Sequence, residues 1–277
     1  MPQTMVIYML KNRLIPCVIL QNDLVVQSFN FKNYLPIGKI DAVIEFLVNW
    51  DVDEIIVIDI TATPENRSIS LDIIDRVAKK CFVPLTVGGG VKDIETVRKL
   101  LRVGADKVVF NSLIHENPSF ISEMATKYGS QFVTASIDAK KDGDKHFAYT
   151  YGGNKSLDIS VEELAKKVED LGAGEIFLNS IDRDGSREGY DLDLLSKVSS
   201  AVKIPVIACG GVGRAGHLAM AITEGGCQAA SAANIFNHTE MSTVAGKAIM
   251  KKNGLPIRID SQVQYSNIEF DFLDRPI

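Results

Sequence analysis

The chain has 277 residues, 46% hydrophobic and 23% charged, the profile of a soluble globular protein with room for a sizeable core. A formal net charge of −5 argues against nucleic acid as the main partner, because phosphate-backbone binding wants a basic face. Cys17, Cys81, Cys209 and Cys227 lie far apart with no CxxC pair, so no metal site is expected and free thiols in a reducing cytoplasm are the simpler reading.

The opening MPQTMVIYMLKNR holds one short apolar patch, Met5 to Leu10, with its positive charges after it. That is too short for a secretory signal or a membrane span, so residues 1–12 read as an N-terminal extension and no membrane partner is expected. Short β-branched runs then recur at regular spacing: LIPCVIL (14–20), EIIVIDI (54–60), VPLTVGGG (83–90), KVVFNS (107–112), QFVTASIDA (131–139), EIFLNSID (175–182), IPVIACGG (204–211) and the less typical QAASAANIF (228–236). Between them lie helical patterns. DIETVRKLLRVG (93–104) and SVEELAKKVEDLG (160–172) place apolar residues at three- and four-residue steps and end at Gly, and Asp93 reads as a helix cap. Strands of unbroken apolar character alternating with helices imply a parallel sheet, and eight such units over residues 13–260 fit a closed (β/α)8 TIM barrel of the α/β class.

Residues 83–111 parallel residues 204–234, and LDIIDRV (71–77) upstream of the first matches LDLLSKV (192–198) upstream of the second. The barrel therefore reads as two duplicated half-barrels. After Ile259 the pattern stops, and residues 261–277 read as a C-terminal tail.

In a parallel barrel the strand C-termini build the site. GGG (88–90), with Asn111 one strand later, is repeated as CGGVG (209–213), with Asn234 one strand later. Glycine lets backbone approach a ligand, and the following helix points free N–H groups at it, so Gly89, Gly90, Gly210 and Gly211 are candidates to hold a ligand with a phosphate at each end. The plain alternative is that these glycines only make tight turns. Asp138 ends the fifth strand, Asp59 the second, and IDRDG after the sixth supplies Asp182 and Asp184. Such carboxylates suit acid–base work, although Asp182 and Asp184 equally suit loop capping. At the opposite strand ends stand Arg13, Glu54, Lys107 and Glu175, alternating in sign. They form either a salt-bridged plug or a gate.

Over Arg13 to Ile259 the chain resembles the cyclase subunit of imidazole glycerol phosphate synthase, in DITA (59–62), PLTVGGG (84–90), GADKVVFNS (104–112), SIDAK (136–140), LGAGEI (171–176), SIDRDG (180–185), GYDLDL (189–194) and IPVIACGG (204–211). The resemblance implies no cofactor and a heterodimer with a glutaminase, whose ammonia crosses the barrel through a charged gate. Arg13, Glu54, Lys107 and Glu175 match that gate, and the four cradle glycines with Asn111 match its phosphate sites. The family's chemistry uses two aspartates. Asp138 matches one, and Ile19 stands where the other belongs; Gln27 replaces a lysine of the first loop, and Asn179 replaces a small hydroxyl. FKNYLPIG (31–38) and VDEIIVIDI (52–60) resemble a related group associated with amidination of N-acetyl sugars, whose members are thought to serve a separate sugar amidotransferase. The expected function is an ammonia-receiving barrel for such an amidination. The alternative is the family's cyclisation of phosphoribulosyl-formimino-AICAR phosphate, supported by Asp138 and Asp184. A non-catalytic scaffold for a glutaminase, or a half-barrel isomerase, fits the mouth charges poorly.

Overall fold

A computed structural model describes residues 11–238, 242–259, 265, 268–272 and 274–277. Most of the N-terminal extension, including the Met5 to Leu10 patch, and part of the C-terminal tail lie outside the described residues. The chain opens with β1 (Arg13–Gln21), the hairpin β2 (Leu24–Phe29) and β3 (Asn33–Lys39), α1 (Ile40–Val48), β4 (Ile55–Asp59) and α2 (Leu71–Ala78). It continues through β5 (Leu85–Gly88), α3 (Ile94–Arg102), β6 (Lys107–Phe110), α4 (Ser112–Glu116), α5 (Pro118–Tyr128) and β7 (Val133–Asp142). A second hairpin, β8 (Lys145–Thr150) and β9 (Lys155–Ser160), precedes α6 (Val161–Asp170), β10 (Glu175–Ser180), α7 (Leu192–Ala201), β11 (Val206–Cys209), α8 (Ala215–Thr223), β12 (Ala229–Ala232) and α9 (Thr243–Lys252).

Eight parallel strands close the sheet in the order β1, β4, β5, β6, β7, β10, β11, β12, and β12 pairs back with β1 from Arg13↔Ala229 to Pro16↔Ala232. This is the expected (β/α)8 barrel. Its runs of apolar sequence follow from burial on both faces: β5 and β11 have no accessible residue. The eighth run is shorter than its sequence pattern, because residues 234–237 turn into a 3₁₀ helix after Ala232. The antiparallel additions β2–β3 and β8–β9 follow the first and fifth barrel strands, so they repeat across the two halves.

Alternation along each strand makes two cores. Outward residues such as Leu14, Val57, Val108, Ile176 and Ala208 join the helices, and inward Ile15, Cys17, Ile56, Val109, Phe177, Ile207, Cys209 and Ala229 fill the lumen. Phe177 is fully buried in that column, and truncating it to Ala would cost about 3–5 kcal/mol. Asp93 accepts Thr96 N at 2.7 Å as the cap of α3, and Ser160 forms a reciprocal capping box with Glu163 at α6. Lys247 on α9 is fully buried and pairs with Asp53 at 2.8 Å and Asp51 at 3.2 Å, which fastens the last helix beside the N-terminal mouth. Tyr265 of the tail is buried and donates its hydroxyl to Asp51. Among the described residues no helix is long and apolar enough to cross a membrane.

Candidate active site

The strand C-termini and both hairpins enclose a cavity of about 590 Å³, whose wall includes Ile19, Asp138, Asn179, Asp184 and both glycine turns. Asp138 is buried at its base on β7 and accepts Asn111 Nδ2 at 3.2 Å. Burial, and then the neighbouring charge of Asp184, raise its pKa to about 7. One hydrogen bond does not offset the lost hydration. Asp138 thus exchanges a proton near neutrality, the property a general acid–base group needs.

Asp184 differs in its surroundings. Burial pushes its pKa up, while Ser28 Oγ at 2.6 Å and Phe31 N at 3.1 Å pull it back by bonding the carboxylate. The same bonds latch the β2–β3 turn over the cavity, and Asn30 N adds a bond to the Asp184 carbonyl at 3.1 Å. Tyr34 of this hairpin faces the cavity, with its hydroxyl donated to Phe31 O at 2.9 Å; burial, Asp184 and Asp138 raise its pKa. Ser28 did not stand out in the sequence, and Phe31 and Tyr34 did so only as part of FKNYLPIG (31–38), with no place in the cavity assigned to them. A strand–turn–strand reading of residues 24–39 would have placed all three.

The other acids have structural partners. Asp59 accepts Thr61 N, Thr61 Oγ1 and Ala62 N at 2.8–3.1 Å and Arg67 Nη1 at 2.6 Å, so it organises the loop after β4. Asp182 is exposed, accepts Lys141 N at 2.7 Å and does not line the cavity. Ile19 lines the cavity and packs against the lumen core, with no ionisable group supplied from β1 at that height. Asn179, paired in register with Asp138, lines the cavity too, and its Oδ1 is buried without a partner.

The two glycine turns are alike. Gly90 and Gly211 both have positive φ, 63° and 99°, and a Cβ at either would collide with backbone oxygens of Arg67 or Gly189. Their asparagines are already engaged. Asn111 bonds Ser136 O and Asp138, and Asn234 exchanges two hydrogen bonds with the backbone of Ser28 at 3.0 and 2.7 Å. Gln27 Nε2 approaches Asn234 O and His238 Nε2, both at 3.3 Å, and Arg187 Nη2 reaches the same histidine nitrogen at 3.4 Å. Arg187 also lines the cavity, so it is a cation at this turn that sequence reading passed over.

At the opposite mouth the four charges form a closed ring. Arg13 contacts Glu54 at 2.9 Å and Glu175 at 2.7 Å; Lys107 contacts the same two residues at 2.9 and 2.8 Å. Thr86 Oγ1 donates to Glu54 at 2.6 Å, and the lumen column rises directly above. Two inward hydroxyls, Thr134 beside Glu175 and Ser231 beside Ile15, are buried without partners. Among the described residues one His–carboxylate group, His146 with Asp191 and Asp193, has its ligand atoms within 4.8 Å of one another. None of the three lines the cavity, and Asp191 there caps α7 while bonding His146 at 3.0 Å.

A family model described as histidine biosynthesis protein matches residues 13–242. The chain is 55% identical over 269 residues to a Vibrio vulnificus protein named "Putative imidazole glycerol phosphate synthase subunit hisF2", covering 97% of this chain and 99% of that one. It is 44% identical over 258 residues to imidazole glycerol phosphate synthase subunit HisF of Caulobacter vibrioides, covering 91% and 98%. With its closed barrel, the chain belongs to the histidine biosynthesis protein family, as a barrel of the HisF type found in imidazole glycerol phosphate synthase.

Proposed function

We propose that this barrel receives ammonia from a glutaminase partner at its N-terminal mouth and delivers it through the lumen to a phosphorylated ligand in the cavity, serving the amidination of an N-acetyl sugar. The observation that carries the reading is the ring of Arg13, Glu54, Lys107 and Glu175, closed across the one end of an apolar column whose other end is the cavity floor. A plug needs no such symmetry. Two cations sharing two acids give a gate that reopens by moving one side chain, and Lys107 is the more flexible of the pair. Phe82, 87% exposed in the loop before β5, offers an apolar anchor on the same face for the glutaminase.

In the cavity, the glycine turns support binding of a ligand with an anionic group at each end. Ammonia arriving past Phe177 emerges beside Asp138, whose carboxylate takes up the proton released when the nitrogen attacks an electrophilic carbon. Ile19 supports an acceptor other than the histidine-pathway intermediate, because a hydrocarbon supplies no second proton-transfer group. A sugar amidotransferase would then consume the delivered nitrogen. The four free cysteines favour the cytoplasm as the working compartment.

The cyclisation of phosphoribulosyl-formimino-AICAR phosphate is the second reading, favoured by the near-neutral pKa of Asp138 and by both glycine turns. A steady-state assay with that intermediate and excess ammonium at alkaline pH separates the two. No turnover by folded protein supports the first; turnover at the rate of a HisF enzyme supports the second.

A further inference from the structure

Asp93 and Arg214 hold the same place in the repeated halves, at the start of the helix that follows each glycine turn. Asp93 caps its helix with its own side chain. Arg214 makes no cap bond with its side chain, since a guanidinium has no acceptor. The missing acceptor comes from the C-terminal segment: Asp274 Oδ2 accepts Gly216 N at 2.9 Å and pairs with Arg214 Nη1 at 2.6 Å. A Cβ at Gly216 would press on that carboxylate oxygen and push the Asp274 side chain aside. The segment folds back on itself around this contact, with Phe270 bridged to Pro276 and Ile277 N bonded to Glu269 O at 3.0 Å.

The contact lies on the connection that carries Gly210 and Gly211. We propose that Asp274 is a resident anion which restrains the second glycine cradle: while the C-terminal segment is docked, binding of a phosphate group at Gly210–Gly211 is weakened, and when it undocks, binding strengthens. The inference rests on reading the glycine turns as anion cradles. Three observations support it. The Asp274 carboxylate occupies the positive end of α8, where a second anion nearby meets repulsion. It neutralises Arg214, which does not line the cavity while so engaged. The hold is breakable, being one cap bond and one ion pair in which Arg214 is 42% and Asp274 19% exposed. Among the described residues the first cradle has no equivalent from a distant segment, because its capping carboxylate, Asp93, belongs to its own helix. By linkage, phosphate at the second cradle must loosen the segment by the same factor that the segment weakens phosphate.

The test measures inorganic phosphate binding to the full chain by calorimetry at low salt, in the native sequence and in Asp274→Asn. Asparagine keeps an acceptor for Gly216 N and removes only the charge. The expected result is affinity about five-fold tighter in Asp274→Asn, a gain within the ordinary range of site coupling. The gain should disappear when Gly211→Ala is added, because its methyl would strike Gly189 O, and when Arg214→Gln is added. In the native chain, saturating phosphate should speed amide exchange at Gly216, Asp274, Arg275 and Ile277, a measurement that needs no variant. Equal or weaker binding by folded Asp274→Asn, or exchange unmoved by bound phosphate, overturns the restraint alone. No phosphate binding by the native chain overturns the cradle reading with it.

Discussion

Arg13 and Lys107 grip the same two carboxylates from opposite sides of the barrel mouth, each within 3 Å of both Glu54 and Glu175. Removing one cation therefore leaves each acid with a single cation and opens half of the ring. Lys107→Ala should uncouple glutamine hydrolysis from amination, measured as product formed per glutamate released with the glutaminase bound. An unchanged ratio with normal binding of the partner would mean the ring is only a plug.

Docking on that face gives a second expectation. Phe82 has almost no intramolecular cover, so its ring is available to fill a pocket on a partner. Phe82→Ala should weaken glutaminase binding by roughly 30-fold, the typical loss at an aromatic anchor. Surface plasmon resonance reads this directly, and stability should stay unchanged because the ring covers nothing in the free barrel.

Asp138 ties stability to pH. Its folded pKa of about 7 lies above the ordinary value of 3.8, so the folded state holds its proton more tightly than the unfolded chain. That contribution is fully present below pH 4 and is lost as pH rises towards 7. At full ionisation the burial cost corresponds to roughly 4 kcal/mol. Asp138→Asn should accordingly stabilise the barrel at pH 8 by a few kcal/mol, with a gain that shrinks between pH 7 and pH 4. Urea unfolding at pH 8 and pH 5 checks it; an equal gain at both would put the titrating group elsewhere.

Thr134 Oγ1 is a hydroxyl inside the lumen with no hydrogen-bond partner. Such a group carries a desolvation penalty with nothing against it, so the isosteric Thr134→Val should raise stability by about 1–3 kcal/mol. A fall in the urea midpoint would show that the hydroxyl is bonded in solution.

The parts of this molecule that were legible in the sequence share a physical cause. Barrel strands buried on both faces leave unbroken apolar runs, and the ring residues are legible because charge at the start of such a run interrupts it. The β2–β3 hairpin was not, since much of β3 is exposed and its sequence, NYLPIGK, has neither alternation nor an unbroken apolar run. Residue type alone offered Asp59, Asp138 and Asp184, and the family resemblance favoured Asp138 and Asp184. The structure adds the physical reason, because Asp59 is consumed by Arg67 and its loop, whereas Asp138 has one weak partner. The repeat sets Arg214 against Asp93, but the carboxylate that replaces the cap, Asp274, lies sixty residues away and follows no local rule.

Position 19 makes the last expectation. Ile19 pairs in register with Ile58 on β4 and Val26 on β2, and its side chain adds to the apolar floor beside Cys17. Ile19→Asp places a carboxyl across the cavity from Asp138, at the position where the family resemblance implies a second acid. Burial and the nearby charges of Asp138 and Asp184 should raise the new group's pKa, so the variant should lose a few kcal/mol of stability at pH 8 and less at pH 5. Turnover of the phosphoribulosyl-formimino-AICAR intermediate with ammonium should rise above the native level. If the folded variant gains stability-linked protonation but no turnover, the floor accepts an acid and the block lies elsewhere. Gln27, held by Asn234 and His238 at the second cradle, is then the next residue to exchange for lysine.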